Sequence, residues 1–150
     1  MKIADLLSPK DVMIDVKCSN KGQLLQELAA RAAAVAGLGA DQVASHLLKR
    51  EELGSTGIGK GVAIPHARFS ELQRPCGVFA RLKQSIEFEA IDGQKVDVVF
   101  VLLLPAVAEN EALGALALAA RTLRSPENLA RLRAAKTASE LFSAMAVQHS

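Results

Sequence analysis

Apolar residues recur at helical spacing in two stretches of the first third of the chain. The first stretch follows Asn20, an N-cap residue with Gln23 three positions later, and ends near Gly37. Its apolar side carries Leu24, Leu25, Leu28 and Ala32. The second stretch has Asp41 as its capping residue and stops at Gly54. These patterns predict two amphipathic helices joined by a short loop.

Alternating or continuous apolar runs predict strands. The shorter runs cover residues 12–16, 62–64, 77–82 and 86–88. Residues 96–104 are rich in Val and Leu and nearly continuous, as expected of a central strand that is covered on both faces. An Asp-Gly turn signal at residues 92–93 precedes this central strand.

Three more helices are predicted after the strands, at residues 110–123, at residues 127–134 and after Thr137. Ser125 and Pro126 supply a cap and a first-turn proline for the second of them, and Thr137 with Glu140 forms a capping box for the third. Since helices lie on both sides of the strands along the sequence, the predicted fold class is an α/β sandwich, a single domain of residues 1–150.

The composition is that of a packed globular domain. Half of the 150 residues are hydrophobic and 23% are charged, which excludes a disordered chain. With five Phe and no Trp or Tyr, the chain has few rings on which bases could stack, and a net charge of +2 is too small for a general polyanion binder. We therefore expect no nucleic-acid partner.

No segment predicts export or membrane insertion. The first residues are interrupted by Asp5 and lack the apolar core of a signal peptide, and the longest apolar run, residues 98–108, contains Pro105 and is too short to span a bilayer. Cys18 and Cys76 lie far apart without metal-binding spacing, which indicates two reduced thiols. A cytoplasmic protein is the expectation.

The strongest chemical signal is the stretch Gly-Ser-Thr-Gly-Ile-Gly-Lys-Gly at residues 54–61. Four of the ten glycines fall within it. Glycines at this density allow backbone N–H groups to approach an anion closely. The candidate phosphate-binding residues are Ser55, Thr56, Gly57, Gly59 and Gly61.

Two nucleotide-binding motifs fit this stretch poorly. Gly54, Gly59 and Lys60 match a P-loop, but Gly61 stands where a Ser or Thr hydroxyl would coordinate Mg²⁺. The stretch also follows a predicted helix, whereas a P-loop follows a strand. A dinucleotide-binding fingerprint would need a third glycine where the chain has Val62.

A covalent phosphohistidine at His66 is the alternative. Its ring nitrogen could take up a phosphoryl group, which the loop N–H groups and hydroxyls would stabilise. Ile64 and Pro65 would limit access of water to the labile P–N bond, and Arg50 is a cation suited to the phosphoryl oxygens. On spacing alone, an incidental histidine beside a glycine-rich turn fits the residues equally well.

Residues 50–67, REELGSTGIGKGVAIPHA, closely resemble the active-site signature of type 2 EIIA components. These form the fructose/mannitol class of the bacterial phosphoenolpyruvate-dependent phosphotransferase system. Further matches lie at residues 5–8, 88–93, 96–100 and 132–135, so the similarity covers nearly the whole chain. The free-standing length looks most like the nitrogen-regulatory branch of this family.

The resemblance implies that His66 receives a phosphoryl group from a histidine of a small HPr-like carrier protein, and that Arg50 is the active-site arginine. It also implies a mixed sheet of about five strands with helices on both faces, and no metal or other cofactor. The protein would be a stoichiometric phosphocarrier rather than a free-standing enzyme, with regulatory target proteins as further partners.

The sequence departs from the family at one active-site position. A second histidine is usual at the start of the helix after the central strand, and here that position is Ala112. A methyl group cannot donate a hydrogen bond to phosphoryl oxygens. Two alternatives to the regulatory phosphocarrier therefore stay open: a binding regulator that is not phosphorylated, and a sugar-specific EIIA of the fructose/mannitol type.

The other histidines and a basic cluster carry less weight. His46 lies in the middle of a predicted helix and His149 in the last two residues, and three dispersed histidines without acidic or Cys partners predict no metal site. The basic cluster predicts a solvated helical face or a docking surface for an acidic partner. It consists of Arg121, Arg124, Arg131, Arg133 and Lys136.

Overall fold

The computed structural model describes residues 1–147 and shows one mixed sheet between two layers of helices. The helices are α1 (Ile3–Leu6), α2 (Lys21–Ala36), α3 (Ala40–Glu52), α4 (Glu109–Arg124), α5 (Pro126–Ala134) and α6 (Ala138–Ala146). The strands are β1 (Val12–Val16), β2 (Gly57–Gly59), β3 (Val62–Ala63), β4 (His66–Phe69), β5 (Cys76–Ile86) and β6 (Val96–Pro105). The predicted α/β class, with helices on both faces, is confirmed.

Strand β6 organises the sheet. Its antiparallel neighbour is β5, which in turn pairs in parallel with β1. Along its other edge lie two short strands in succession, β3 and then β4, both parallel to it. Strand β2 extends the sheet beyond β3 as its antiparallel partner. The first residue of β4, His66, is therefore opposite Leu102 of β6.

The continuous apolar run of β6 serves two separate cores. Val99, Val101 and Leu103 pack in a first core layer, against α2 and α3. Phe100, Leu102 and Leu104 pack in a second core layer, against α1, α4, α5 and α6. Because successive side chains of a strand point to opposite faces, a strand covered on both sides must be apolar throughout.

The predicted N-caps Asn20, Ser125 and Thr137 are confirmed, whereas the reciprocal capping-box bonds and the cap of α3 differ from the prediction. The Gln23 and Glu140 side chains accept from Ser19 N and Lys136 N, one residue before each N-cap. Asn20 Oδ1 accepts from Gln23 N at 2.8 Å, and the Ser125 and Thr137 hydroxyls accept from backbone N–H groups three residues on. Helix α3 begins one residue before the predicted cap, so that Gly39 is its N-cap and Asp41 lies in the first turn. There the carboxylate still interacts favourably with the helix dipole.

Several strand predictions differ from the structure. The two predicted strands at residues 77–82 and 86–88 are largely one long strand, β5, which ends at Ile86. Strands β2 and β4 and the short helix α1 were not predicted. They have only three or four residues each, which is too few for a hydrophobic period to emerge. Within residues 1–147, no helix is long and apolar enough to cross a membrane.

We expect Gly77→Ala to destabilise the fold by about 3 kcal/mol, because the added Cβ would lie 2.5 Å from the Val101 carbonyl oxygen and 2.8 Å from the Phe100 ring. The control is Gly114→Ala on α4, where the nearest atom is 3.8 Å away and the better helix propensity should add about 0.5–1 kcal/mol. Urea unfolding of both variants measures the two changes, and equal midpoints would contradict the β5–β6 packing.

Candidate functional site

His66 is half-buried, and its ring is hydrogen-bonded to the backbone two residues earlier in the chain. Its Nδ1 atom lies 2.8 Å from the carbonyl oxygen of Ile64. Since a carbonyl only accepts, Nδ1 must carry the proton, which leaves the lone pair on Nε2. The imidazole is therefore oriented with a nucleophilic nitrogen away from the Ile64 carbonyl.

Ile64 and Pro65 connect β3 to β4, and their backbone groups bond different partners. Proline has no backbone N–H, so the ladder along β6 is interrupted between β3 and β4. Around this interruption, Ile64 N donates to the Thr56 carbonyl and Leu102 N donates to the Pro65 carbonyl. The Ile64 carbonyl instead accepts from the imidazole.

The pKa of His66 lies below its ordinary value of 6.5. Burial is the main cause, because it penalises the imidazolium form. The hydrogen bond to Ile64 and the charge of Glu51 oppose this shift, while the positive charges of Arg50 and Arg68 add to it. At neutral pH the ring is therefore neutral, which is the protonation state a nucleophile requires.

Glu51 is a buried carboxylate that holds the start of the glycine-rich stretch. Its side chain is 5% exposed and pairs with Lys21 Nζ of α2 at 2.7 Å. It also accepts from the Thr56 backbone N–H, at 3.1 and 3.2 Å, and from the Thr56 hydroxyl. Because a buried charge is tolerated only when it is paired and hydrogen-bonded, these three residues form one unit.

Ser55 is tied to the same unit through the Phe88 carbonyl. The Phe88 carbonyl oxygen accepts two hydrogen bonds, one from the Ser55 hydroxyl at 2.9 Å and one from Lys21 Nζ at 3.1 Å. The Ser55 oxygen in turn accepts from Gly57 N at 3.1 Å. Both hydroxyls predicted to bind phosphate, those of Ser55 and Thr56, therefore donate within the protein.

The glycines of the stretch form a tight β2–β3 hairpin. Gly59, Lys60 and Gly61 have φ angles of 101°, 58° and 81°, a left-handed turn. A Cβ on Gly61 would lie 2.5 Å from an Arg133 nitrogen, and one on Gly57 would lie 2.7 Å from Ala90 Cβ. Close packing and turn geometry thus account for these glycines.

The register of the sheet separates this hairpin from His66. Val62 pairs with Val98, whereas His66 pairs with Leu102, four residues further along β6. At about 3.3 Å per residue, the hairpin tip lies about 13 Å from the histidine. The structure therefore does not bring Gly59 and Gly61 to His66, while it keeps Thr56 opposite Ile64.

Two arginines contribute charge around His66. Arg50, from the last turn of α3, is half-buried and donates to the Gly54 carbonyl at 2.9 Å. The sequence did not indicate Arg68 as a site residue. It lies two residues after His66 in β4 and therefore on the same face of the sheet as the histidine. Its guanidinium forms a two-point ion pair with Glu109, the first residue of α4.

Ala112 lies one turn after Glu109 on α4, at the position where the family usually has a histidine. It is fully buried in the second core layer. Its methyl group adds a packing contact and no hydrogen-bond donor. In this part of the site, the polar group that α4 directs toward β4 is the Glu109 carboxylate.

The remaining candidates from the sequence are His46, His149 and the two cysteines. His46 is an exposed helix residue whose Nδ1 bonds the Gln42 carbonyl, and His149 lies outside the described residues. Cys18 and Cys76 are both free thiols, and burial raises the pKa of Cys76 to about 11. Among residues 1–147, no cluster of His, Cys, Asp and Glu could hold a metal ion.

Comparisons with known proteins cover nearly the whole chain. Residues 5–147 match the family model of the phosphoenolpyruvate-dependent sugar phosphotransferase system, EIIA 2. A nitrogen regulatory protein of Bradyrhizobium diazoefficiens is 45% identical over 98% of this chain and 96% of its own length. The crystal structure of nitrogen regulatory protein IIA-Ntr from Neisseria meningitidis, 31% identical, superposes with a TM-score of 0.90 over 95% of this chain and 98% of that one. IIA mannitol from Escherichia coli, 17% identical, has a TM-score of 0.77 over 93% of this chain and 98% of that one, which shows a shared fold.

We expect Glu51→Gln to lower the free energy of unfolding by about 2 kcal/mol, because it leaves the Lys21 ammonium without its buried counter-charge. Hydrogen exchange at the Thr56 and Gly57 amides should accelerate in the same variant. The matched control is Glu52→Gln at the exposed neighbouring position, which should stay within about 0.5 kcal/mol of the parent. Unchanged amide exchange in the Glu51 variant would contradict the conclusion that Glu51 holds the start of the glycine-rich stretch.

The lowered pKa of His66 predicts a pH-dependent stability. Because the unfolded chain binds the proton more tightly, the stability contributed by neutral His66 is complete above pH 6.5 and is lost as the pH falls through the folded-state pKa. His66→Asn should lack this component in urea unfolding between pH 7.5 and pH 5. An NMR titration that gave a His66 midpoint above 6.5 would contradict the burial argument.

Proposed function

The chain belongs to the type 2 EIIA family of the phosphoenolpyruvate-dependent sugar phosphotransferase system, among the nitrogen regulatory proteins, and from this premise we propose that His66 accepts a phosphoryl group from the phosphohistidine of a small HPr-like carrier. The observation that carries the proposal is the hydrogen bond from Nδ1 to the Ile64 carbonyl. It holds the proton on one ring nitrogen and leaves the other nucleophilic.

In the proposed step, the Nε2 lone pair of His66 attacks the phosphorus of the donor phosphohistidine. The P–N bond of the donor breaks and its electron pair stays on the donor nitrogen, and the donor ring, which is protonated on its other nitrogen, leaves as a neutral imidazole. The positive charge of the ring thereby passes from the donor to His66 together with the phosphoryl group. The proton on Nδ1 of His66 stays in its bond to Ile64. Since donor and product are both phosphohistidines, the transfer is close to isoenergetic and needs no bound metal.

Arg50 and Arg68 supply the positive charge that the phosphoryl oxygens require. Arg50 uses one guanidinium nitrogen for the Gly54 carbonyl, which leaves other N–H groups of the fork for a phosphoryl oxygen. Ser55, Thr56 and Gly57 support the site indirectly, since their bonds hold the segment that lies against Ile64. A direct phosphate contact from Gly59 or Gly61 would require the hairpin to move.

The Arg68–Glu109 ion pair offers a way for phosphorylation to change partner binding. A phosphoryl group adds about −1.5 to −2 charges beside His66 and would compete with Glu109 for Arg68. Release of Glu109 would alter the exposed surface at the start of α4. We propose this exchange of partners as the signal that regulatory target proteins read.

A second candidate function is a binding regulator that is not phosphorylated. Ala112 favours it, since a lost hydrogen-bond donor at a site of developing charge costs about 3 kcal/mol. In that case the unmodified surface around Arg68 and Glu109 would be the recognised form. The two candidates differ in a single measurable property, the covalent state of His66.

We expect a labile phosphoryl adduct on the parent chain after incubation with phosphoenolpyruvate, Enzyme I and an HPr-like carrier, as measured by intact mass. His66→Ala should carry no adduct because it lacks the nucleophile, while His46→Ala should be labelled like the parent because His46 is an exposed helix residue. The nitrogen regulatory protein of Bradyrhizobium diazoefficiens in the same mixture tests whether the carrier is competent.

The outcomes separate the candidates. An acid-labile adduct that persists on His66→Ala would overturn the assignment of the acceptor. An unlabelled parent chain beside a labelled Bradyrhizobium protein would support the binding regulator instead.

A further inference from the structure

One cavity of the described chain lies away from His66. It has a volume of about 820 Å³ and lies between the N-terminal segment, the second half of α4 and the end of α6. Along α4, Arg121 is twelve residues beyond Glu109, which corresponds to about 18 Å of helix. The cavity is therefore separate from the proposed phosphotransfer site, and what it binds does not depend on that proposal.

Of residues 1–147, three with cationic side chains line this cavity, Lys2, Arg121 and Arg124, and none with a carboxylate does. Within residues 1–147, none of the three takes part in an ion pair. The residues of the basic cluster identified in the sequence do not share one environment. Arg133 is paired with Asp97 and donates to the Lys60 carbonyl of the hairpin, whereas Arg121 and Arg124 line the cavity. Arg121 and Arg124 keep their charge for a ligand.

The rest of the lining is mainly apolar. Ile3, Leu118, Ala146 and Val147 contribute hydrocarbon surface. The Ser125 hydroxyl accepts from Asn128 N at 3.3 Å, and its proton can still be donated toward the cavity. The Thr122 hydroxyl already donates to the Leu118 carbonyl and adds no further donor.

We propose that this cavity is a binding site for a small organic anion with a hydrocarbon body. The volume lies within the range of about 300–1,000 Å³ that is usual for small-molecule sites. The cations on the rim would bind a carboxylate or similar head group through charge-assisted hydrogen bonds, and the apolar lining would cover the chain of the ligand. A purely polar anion would leave that lining exposed, and a neutral hydrocarbon would leave the cations unused.

The test uses octanoate as the probe and the full chain as the receptor. Octanoate should cause saturable NMR shifts in the amides of α4 and α6 around the cavity, whereas octanol and acetate should bind at least about tenfold more weakly. Arg121→Gln/Arg124→Gln should weaken octanoate about tenfold or more, since each lost contact is charge-assisted. Arg131→Gln/Lys136→Gln removes the same charge from exposed positions outside the cavity and should leave the affinity unchanged.

Several outcomes would overturn the proposal. Equal octanoate affinity in the two double variants would show that Arg121 and Arg124 make no specific contact with the ligand. Binding to vesicles with anionic lipid, or to an acidic peptide, without saturable octanoate binding would identify a surface for a macromolecule instead. Urea unfolding of both double variants must give parent-like midpoints, which checks that a loss of binding reflects the cavity and not the fold. If Arg121→Gln/Arg124→Gln unfolds early, each single variant is titrated in its place, and unchanged affinity in both would equally overturn the proposal.

Discussion

The interrupted edge of β6 positions His66, the proposed phosphoryl acceptor. Two short strands, β3 and β4, follow one another along that edge, and Pro65 separates them because it cannot donate to the ladder. Beside this interruption the Ile64 carbonyl bonds the His66 ring, and the histidine is the first residue of β4. A strand residue held by both its backbone pairing and its ring nitrogen is ordered before any ligand arrives, so little entropy remains to be lost on reaction.

A buried ion pair stabilises the segment that lies against Ile64. The Glu51 carboxylate joins α2 to the residues that precede the hairpin, through Lys21 and Thr56. Phe88 adds a second connection, since its carbonyl accepts from Lys21 and from Ser55. A buried ion pair of this kind contributes less to stability than to geometry, because its desolvation offsets most of its attraction. We interpret it as the element that keeps Thr56 opposite Ile64.

The two ends of α4 have different chemistry. At its N-terminal end, Glu109 pairs with Arg68 beside His66, while Ala112 is buried where a second histidine is usual. At its C-terminal end, Arg121 and Arg124 line a cavity to which residues 1–147 contribute no acidic side chain, and the negative end of the helix dipole offsets part of their repulsion. The proposed phosphorylation site and the proposed anion site therefore lie at opposite ends of one helix, about 18 Å apart.

The sequence by itself determined the elements whose signals are local or periodic. The caps at Asn20, Ser125 and Thr137, the two-sided strand β6 and the α/β class follow from hydrogen-bonding types and hydrophobic spacing within a few residues. The resemblance at residues 50–67 identified the family correctly, since a long signature carries far more information than a glycine count.

Only the tertiary structure decided what the glycine-rich stretch does. Gly61 packs against Arg133 and Gly57 against Ala90, partners more than thirty residues away in sequence, so no local pattern could reveal them. The same holds for the Lys21–Glu51 pair, which joins two helices, and for the ring orientation of His66, which depends on its hydrogen bond to the Ile64 carbonyl. Residue types and spacing determine which chemistry is available, whereas burial and long-range contacts determine which atoms are left to perform it.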